Sequence, residues 1–148
     1  MAPRWRRGNI LGGRLADRIG AIPALSVIFL GLSVVLLALG AVLTSPLAAI
    51  AVIAVWGGFA FANVPPLQAY TVQIAREVAP DAVDVASCLN IGAFNLGIAF
   101  GAWAGGLAVE SLGLAATPYL GAAVVVLGLG LTRLSGRLDR AARPVAAE

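Results

Sequence analysis

Residues 21–43 of the sequence read AIPALSVIFLGLSVVLLALGAVL, an apolar segment without a charged side chain. An α-helix needs about 20 apolar residues to cross the hydrocarbon core of a bilayer, which is about 30 Å thick. Each charge near the centre of such a helix would cost about 2.5–3.5 kcal/mol. The segment is therefore predicted to be a transmembrane helix.

Three further segments are also uncharged and meet or approach the length of a span. With the first segment, they predict an all-α polytopic helix bundle of four full spans that follows the end of another helix. The predicted spans cover residues 21–43, 46–75, 85–109 and 116–132. The rest of this single transmembrane domain is predicted to be two loops at 1–20 and 76–84 and a tail at 133–148.

Composition supports a membrane protein and excludes several other classes. Of 148 residues, 60% are hydrophobic and 11% are charged, whereas about a quarter are charged in soluble domains. Cys88 is the one cysteine and there is no histidine, so no metal-ligand spacing exists, and we expect neither metal nor cofactor. Cys88 is interpreted as a small apolar residue rather than a reactive thiol. No phosphate-binding loop or catalytic triad is present, so an enzyme is not expected.

All ten basic residues are arginines, and they predict the orientation of the spans. With four spans, the basic regions all fall on one side, which the positive-inside rule identifies as the cytoplasm. We therefore expect a multi-pass protein of the inner (plasma) membrane with both termini cytoplasmic. Because the arginines flank apolar spans, lipid and not nucleic acid is the expected partner. They are Arg4, Arg6, Arg7, Arg14, Arg18, Arg76, Arg133, Arg137, Arg140 and Arg143.

Residues 12–20, GGRLADRIG, form the most specific motif. The motif resembles the G-x-L-A-D-R-x-G signature of the major facilitator superfamily, which lies in a cytoplasmic loop and has a degenerate second copy between helices eight and nine. The resemblance implies a gating loop formed by Gly13, Asp17, Arg18 and Gly20. The basic residue that usually follows the second glycine is replaced by Ala21, which favours the second copy. An ordinary basic loop remains the alternative.

The rest of the chain fits that placement, because four spans follow the motif, as helices nine to twelve would. Residues 63–106 also look like helices ten and eleven of drug and sugar efflux members. The resemblance implies the C-terminal part of a secondary transporter or antiporter whose two six-helix halves alternate in access. We therefore expect the chain to be a piece of something longer that needs the N-terminal half or a complementary chain. Alternatives are a non-transporting four-helix membrane subunit and a small multidrug exporter that acts as an oligomer.

Polar residues in the second and third spans are the candidate contacts for a small-molecule substrate. Pro65 and Pro66 remove two backbone donors inside the second span, so the span is predicted to bend there, either beside a cavity or as a packing feature. The candidate cavity residues are Asn63, Gln68, Asn95 and Trp103. For Asn95 a hydrogen bond to a neighbouring helix, and for Trp103 a packing or lipid-facing role, are the alternatives.

Glycines in the third span form a predicted packing surface. Gly97, Gly101 and Gly105 recur every four residues, and such a small-residue stripe lets another helix approach closely. Asn90 lies on the same stripe and is expected to make an interhelical hydrogen bond. The resemblance implies that this stripe packs against the other half of a transporter.

Overall fold

A computed structural model describes residues 4–142 of the chain, with side chains from Ile10 to Ala141. The predicted tail beyond Ala142 and the side chains of Arg4, Arg6 and Arg7 lie outside this description.

Six α-helices and two 3-10 turns, with no strand, make up the described part of the chain. The helices are α1 (Arg4–Ile19), α2 (Ala21–Val42), α3 (Pro46–Ala62), α4 (Val64–Val78), α5 (Val83–Leu112) and α6 (Thr117–Ala142). Four stretches are long and apolar enough to cross a membrane: Ala21–Val42, Pro46–Val78, Pro80–Leu112 and Leu114–Ala141. The prediction of an all-α, four-span bundle is thereby confirmed.

The first twenty residues differ from the predicted loop, because α1 is helical from Arg4 to Ile19. Its arginines do not interrupt it, since arginine is a good helix former. The helix ends at Gly20, whose φ of 86° lies in the left-handed region that glycine adopts without steric cost. The Gly20 amide donates to the Ala16 carbonyl at 2.9 Å, and α2 begins at the next residue. The chain therefore makes a tight turn at Gly20, one of the motif residues.

Helix α2 forms the centre of the bundle. It packs against α1, α3, α4 and α6. Its buried residues are Ala24, Leu25, Ile28, Leu32 and Ser33, whose spacing of three and four residues places them on one side of a helix. The Ser33 hydroxyl donates to the Phe29 carbonyl at 2.9 Å, so this polar group needs no partner from another helix.

Glycines allow the neighbours of α2 to approach closely. A Cβ atom on Gly31 would lie 2.3 Å from the Phe59 ring, and one on Gly136 would lie 2.7 Å from the Ile22 side chain. Small residues commonly permit such close packing between membrane helices. The contacts hold α3 and the second half of α6 against α2.

The second span is interrupted at Asn63, between α3 and α4. Pro65 and Pro66 have no N–H group, so the carbonyls of Phe61 and Ala62 lose the donors that a regular helix would supply. Regular bonding resumes where the Leu67 amide donates to the Asn63 carbonyl at 3.2 Å. The predicted bend is therefore a break that divides one span into two helices.

Helix α5 is the most exposed of the spans. Its 30 residues include no buried side chain, and its contacts with the described part of the chain are with α4, α6 and the two 3-10 turns. It ends at Gly113, which has a φ of 83°. One entire span therefore presents most of its surface outward.

Candidate functional site

The proline break and the start of α5 bring two of the predicted polar residues together. Asn90 Nδ2 on α5 donates to Gln68 Oε1 on α4 at 2.6 Å. The interhelical hydrogen bond expected for Asn90 is present, and its partner is one of the candidate cavity residues. This bond orients the amide of Gln68 and leaves its Nε2 group without a hydrogen bond to a described residue.

Asn63 lies at the break itself. Its side-chain Oδ1 is buried and has no hydrogen-bond partner among the described residues. A residue at this position, before the first turn of α4, commonly caps the amides two or three residues later. In this chain those residues are Pro65 and Pro66, which have no amide hydrogen to donate. Asn63 therefore presents an acceptor whose usual local donors have been removed.

Asn95 and Trp103 lie on α5, away from this pair. Asn95 is exposed, and its Nδ2 donates to the Ile91 carbonyl of its own helix at 2.9 Å. Trp103 is 61% exposed, and its ring lies 5.4 Å from that of Phe100 in a tilted arrangement. Neither residue shares a hydrogen bond with Gln68 in the described structure. The hydrogen bonds of the described chain therefore do not join the four candidate cavity residues into one site.

The glycine stripe of α5 is uncovered. A Cβ atom added to Gly97, Gly101 or Gly105 would meet no atom of the described chain within 4 Å. Asn90 belongs to the same stripe but faces α4 through its bond to Gln68. The part of the stripe beyond Asn90 therefore has room for a helix that the described chain does not supply.

The motif residues lie at the end of α1, and its glycines reach the proline break. A Cβ on Gly12 would lie 2.0 Å from the Ala62 carbonyl oxygen, and one on Gly13 would lie 3.8 Å from Pro65 Cβ. Asp17 and Arg18 are exposed and make no hydrogen bond or ion pair with another described residue. Close contact through the glycines therefore links the motif to the break in the second span.

A polar cluster that sequence reasoning missed joins α4 to α6. The Tyr70 hydroxyl hydrogen-bonds with Ser135 Oγ at 2.9 Å and donates a short hydrogen bond to Asp139 Oδ2. Ser135 and Asp139 are four residues apart and share one face of α6. That spacing was visible in the sequence, but Tyr70 lies 65 or more residues earlier, and no local pattern connects it to them.

The chain is similar to several named transporters. It is 43% identical to the MFS-type transporter YtbD of Bacillus subtilis over 138 residues, which cover 90% of this chain and 34% of that protein. It is 42% identical to the inner membrane transport protein YdhP of Escherichia coli over 131 residues, or 88% of this chain and 32% of that protein. A stretch of 53 residues, covering 36% of this chain and 14% of the relative, is 42% identical to a probable sugar efflux transporter of Helicobacter pylori.

The chain spans about a third of the length of the first two of these relatives. The matched region is the C-terminal portion of those proteins. No family model and no solved structure matches the chain.

Proposed function

We infer that this chain, which corresponds to the C-terminal portion of major facilitator superfamily transporters, forms one wall of the substrate pathway in a small-molecule exporter. The uncovered surface of α5 carries this proposal. The helix has no buried residue, although it bears the glycine stripe and Asn95. Asn95 lies two residues before Gly97, about 200° around the helix from the stripe, so a second set of helices packed on the stripe would leave Asn95 uncovered on the other face of α5, where it can line the pathway.

The substrate we propose is a drug-like or sugar-like molecule without a formal charge. The polar groups proposed to line the pathway are the amides of Asn63, Gln68 and Asn95, and no charged side chain accompanies them. Amides offer donors and acceptors, which suit hydroxyl, carbonyl or amide groups of a ligand. Trp103 would supply an apolar surface beside Phe100. The "sugar efflux" name of one relative is consistent with this class of substrate.

The proposed mechanism is alternating access in the inner membrane, with the arginine-rich side facing the cytoplasm. In this scheme the motif at Gly13, Asp17, Arg18 and Gly20 acts as a cytoplasmic gating element. Its contact with the proline break, through Gly12 and Ala62, would couple movement at the membrane surface to the segment that carries Gln68. The remaining portion of a transporter, or a complementary chain, would supply the other wall.

Co-expression in one membrane tests the proposed packing surface. The tagged chain is expressed with the N-terminal portion of the Bacillus subtilis relative, and the two are isolated together. Gly101→Leu places a large side chain on the stripe and is expected to abolish co-isolation. Gly130→Leu on α6 is the matched control. Gly130 is also exposed, and a Cβ atom added to it would meet no atom of the described chain within 4 Å.

Transport assays in proteoliposomes complete the test. We expect the pair of chains, but not this chain alone, to move radiolabelled sugars or a fluorescent drug down an imposed gradient. Transport by this chain alone, with cross-linking that shows a homo-oligomer, would instead support a small exporter. Equal co-isolation of the Gly101→Leu and Gly130→Leu variants would refute the packing surface.

A further inference from the structure

The polar cluster of Tyr70, Ser135 and Asp139 connects α4 to α6, which are otherwise separated by a cavity. A cavity of about 500 Å³ lies between α4, the start of α5 and the end of α6. Tyr70, Ser135 and Asp139 all line it. Hydrogen bonds between side chains therefore join α4 to α6 at the edge of a cavity.

Asp139 depends on this cluster for its hydrogen bonds. Its side chain is partly buried and forms no ion pair with another described residue. The Tyr70 hydroxyl donates to its Oδ2 atom. A hydrogen bond to a carboxylate is about twice as strong as one between neutral groups, so this contact is the strongest polar link between the two helices.

Helices α4 and α5 form a hairpin, in which α4 also packs against α1 and α2. The short 3-10 turn Pro80–Ala82 connects them, and the bond between Gln68 and Asn90 ties their facing sides. The hairpin begins at the proline break at Asn63 and ends at Gly113, whose positive φ marks an abrupt change of chain direction. Proline breaks and glycine turns are positions where helices bend.

We propose that Tyr70, Ser135 and Asp139 form a latch that holds the α4–α5 hairpin against α6, and that release of the latch widens this cavity, which is already open on one side. The latch is on the arginine-rich side of the membrane, since Tyr70 precedes Arg76 on α4 and Asp139 lies between Arg137 and Arg140 on α6. Its opening would move Gln68 and Asn90 together, because their hydrogen bond joins the two arms of the hairpin. This role goes beyond the proposed export function, since it can be measured in the chain without substrate.

A thiol placed in the cavity reports the state of the latch. Ala86 lines the cavity on α5, so Ala86→Cys is made in a Cys88→Ser background, which removes the one native thiol. The purified chain is placed in nanodiscs and treated with a charged maleimide. Tyr70→Phe keeps the ring but removes the hydroxyl, and we expect it to raise the labelling rate by about tenfold, the effect of losing one charge-assisted hydrogen bond.

Two controls separate latch opening from general loosening. Tyr119→Phe removes the same hydroxyl at the other end of α6, where Tyr119 makes no hydrogen bond with a described residue, and should leave the rate unchanged. In the chain with native Ala86, the exposed Cys88 should react at the same rate with and without Tyr70→Phe. A parallel increase at Cys88 would mean unfolding and would overturn the proposal.

Substitutions of Asp139 test the hydrogen bond itself. Asp139→Asn keeps an acceptor for Tyr70 and should raise labelling less than Asp139→Ala, which removes it. Because Tyr70→Phe already removes the bonds to both Ser135 and Asp139, the double variant Tyr70→Phe/Asp139→Ala will label no faster than Tyr70→Phe alone. If the Tyr70 and Asp139 substitutions raise the labelling rate independently, so that their effects multiply, no latch exists. Equal labelling rates for Tyr70→Phe and Tyr119→Phe would lead to the same conclusion.

Discussion

Gly12 shows how a single hydrogen atom in place of a side chain can determine the contact between two helices. The backbone of α1 at Gly12 lies against the Ala62 carbonyl, and Pro66 cannot donate to that oxygen. The glycine Cα can make a weak C–H···O contact of the kind found between closely packed helices. The break in the second span and the glycine in α1 are therefore complementary features.

Replacing Gly12 by alanine should destabilise the chain by about 1–3 kcal/mol, a typical cost of adding atoms to a packed interface. The new Cβ would lie 2.0 Å from the Ala62 carbonyl oxygen, and backbone atoms cannot move as freely as a side chain end. Thermal unfolding in mild detergent measures the effect. Gly13→Ala is the control, since its Cβ would meet Pro65 at an ordinary 3.8 Å. Identical melting of the two variants would contradict the predicted clash.

At the scale of helices, apolar length predicted the four stretches that are long and apolar enough to cross a membrane, but not where each helix ends. The fourth span was predicted to end at residue 132, yet α6 continues to Ala142. The arginines in its last turns end the apolar segment, but they do not interrupt the hydrogen bonding of the helix. For the same reason α1 includes residues that were assigned to a loop as well as the predicted end of a preceding helix. The candidate site was predicted in part. Gln68 and Asn90, both named from the sequence, form a hydrogen bond. The contact between Tyr70 and Asp139 depends on tertiary packing, which the spacing of residues along the sequence does not predict.

The break between α3 and α4 gives a prediction about local opening. Pro66→Ala restores an N–H group that can donate to the Ala62 carbonyl, so we expect slower amide hydrogen exchange at Leu67, the first residue after the break that has an amide hydrogen in both chains. Pro46→Ala is the control. Pro46 is the first residue of α3, where the amide of a helix has no internal partner, and its replacement should leave exchange in α3 unchanged. Faster exchange around the break after Pro66→Ala would show that the two prolines stabilise this segment.

At the scale of the whole molecule, the described chain is a partial bundle around α2 with one span, α5, held at its edge. Buried residues concentrate in α2, whereas the exposed large apolar side chains extend along every span. In water such a surface would cause association, but in lipid it is an ordinary exterior. Apolar exposure alone therefore does not mark the proposed interface. The four-residue spacing of the uncovered glycines Gly97, Gly101 and Gly105 of α5 marks it.

Labelling of the native thiol tests the orientation of the entire bundle. Cys88 is exposed near the start of α5, on the side of Arg76, so a membrane-impermeant maleimide should label it in inverted vesicles but not in intact cells. Ala115→Cys in a Cys88→Ser background is the matched control, since Ala115 is exposed beyond the other end of α5. It should give the opposite pattern. Labelling of Cys88 from outside intact cells would reverse the proposed topology.

The exposure of α5 also bears on how the protein is made. This helix is the least apolar of the four candidate spans, and it has few neighbours in the described chain. While the nascent chain leaves the translocation channel, contact with lipid must therefore hold α5 in the bilayer with little help from helices made before it. Its two asparagines lower its affinity for the hydrocarbon, so α5 should be the last span to insert stably. The Gln68–Asn90 hydrogen bond, which links it to the span made just before, is then the first protein contact available to retain it.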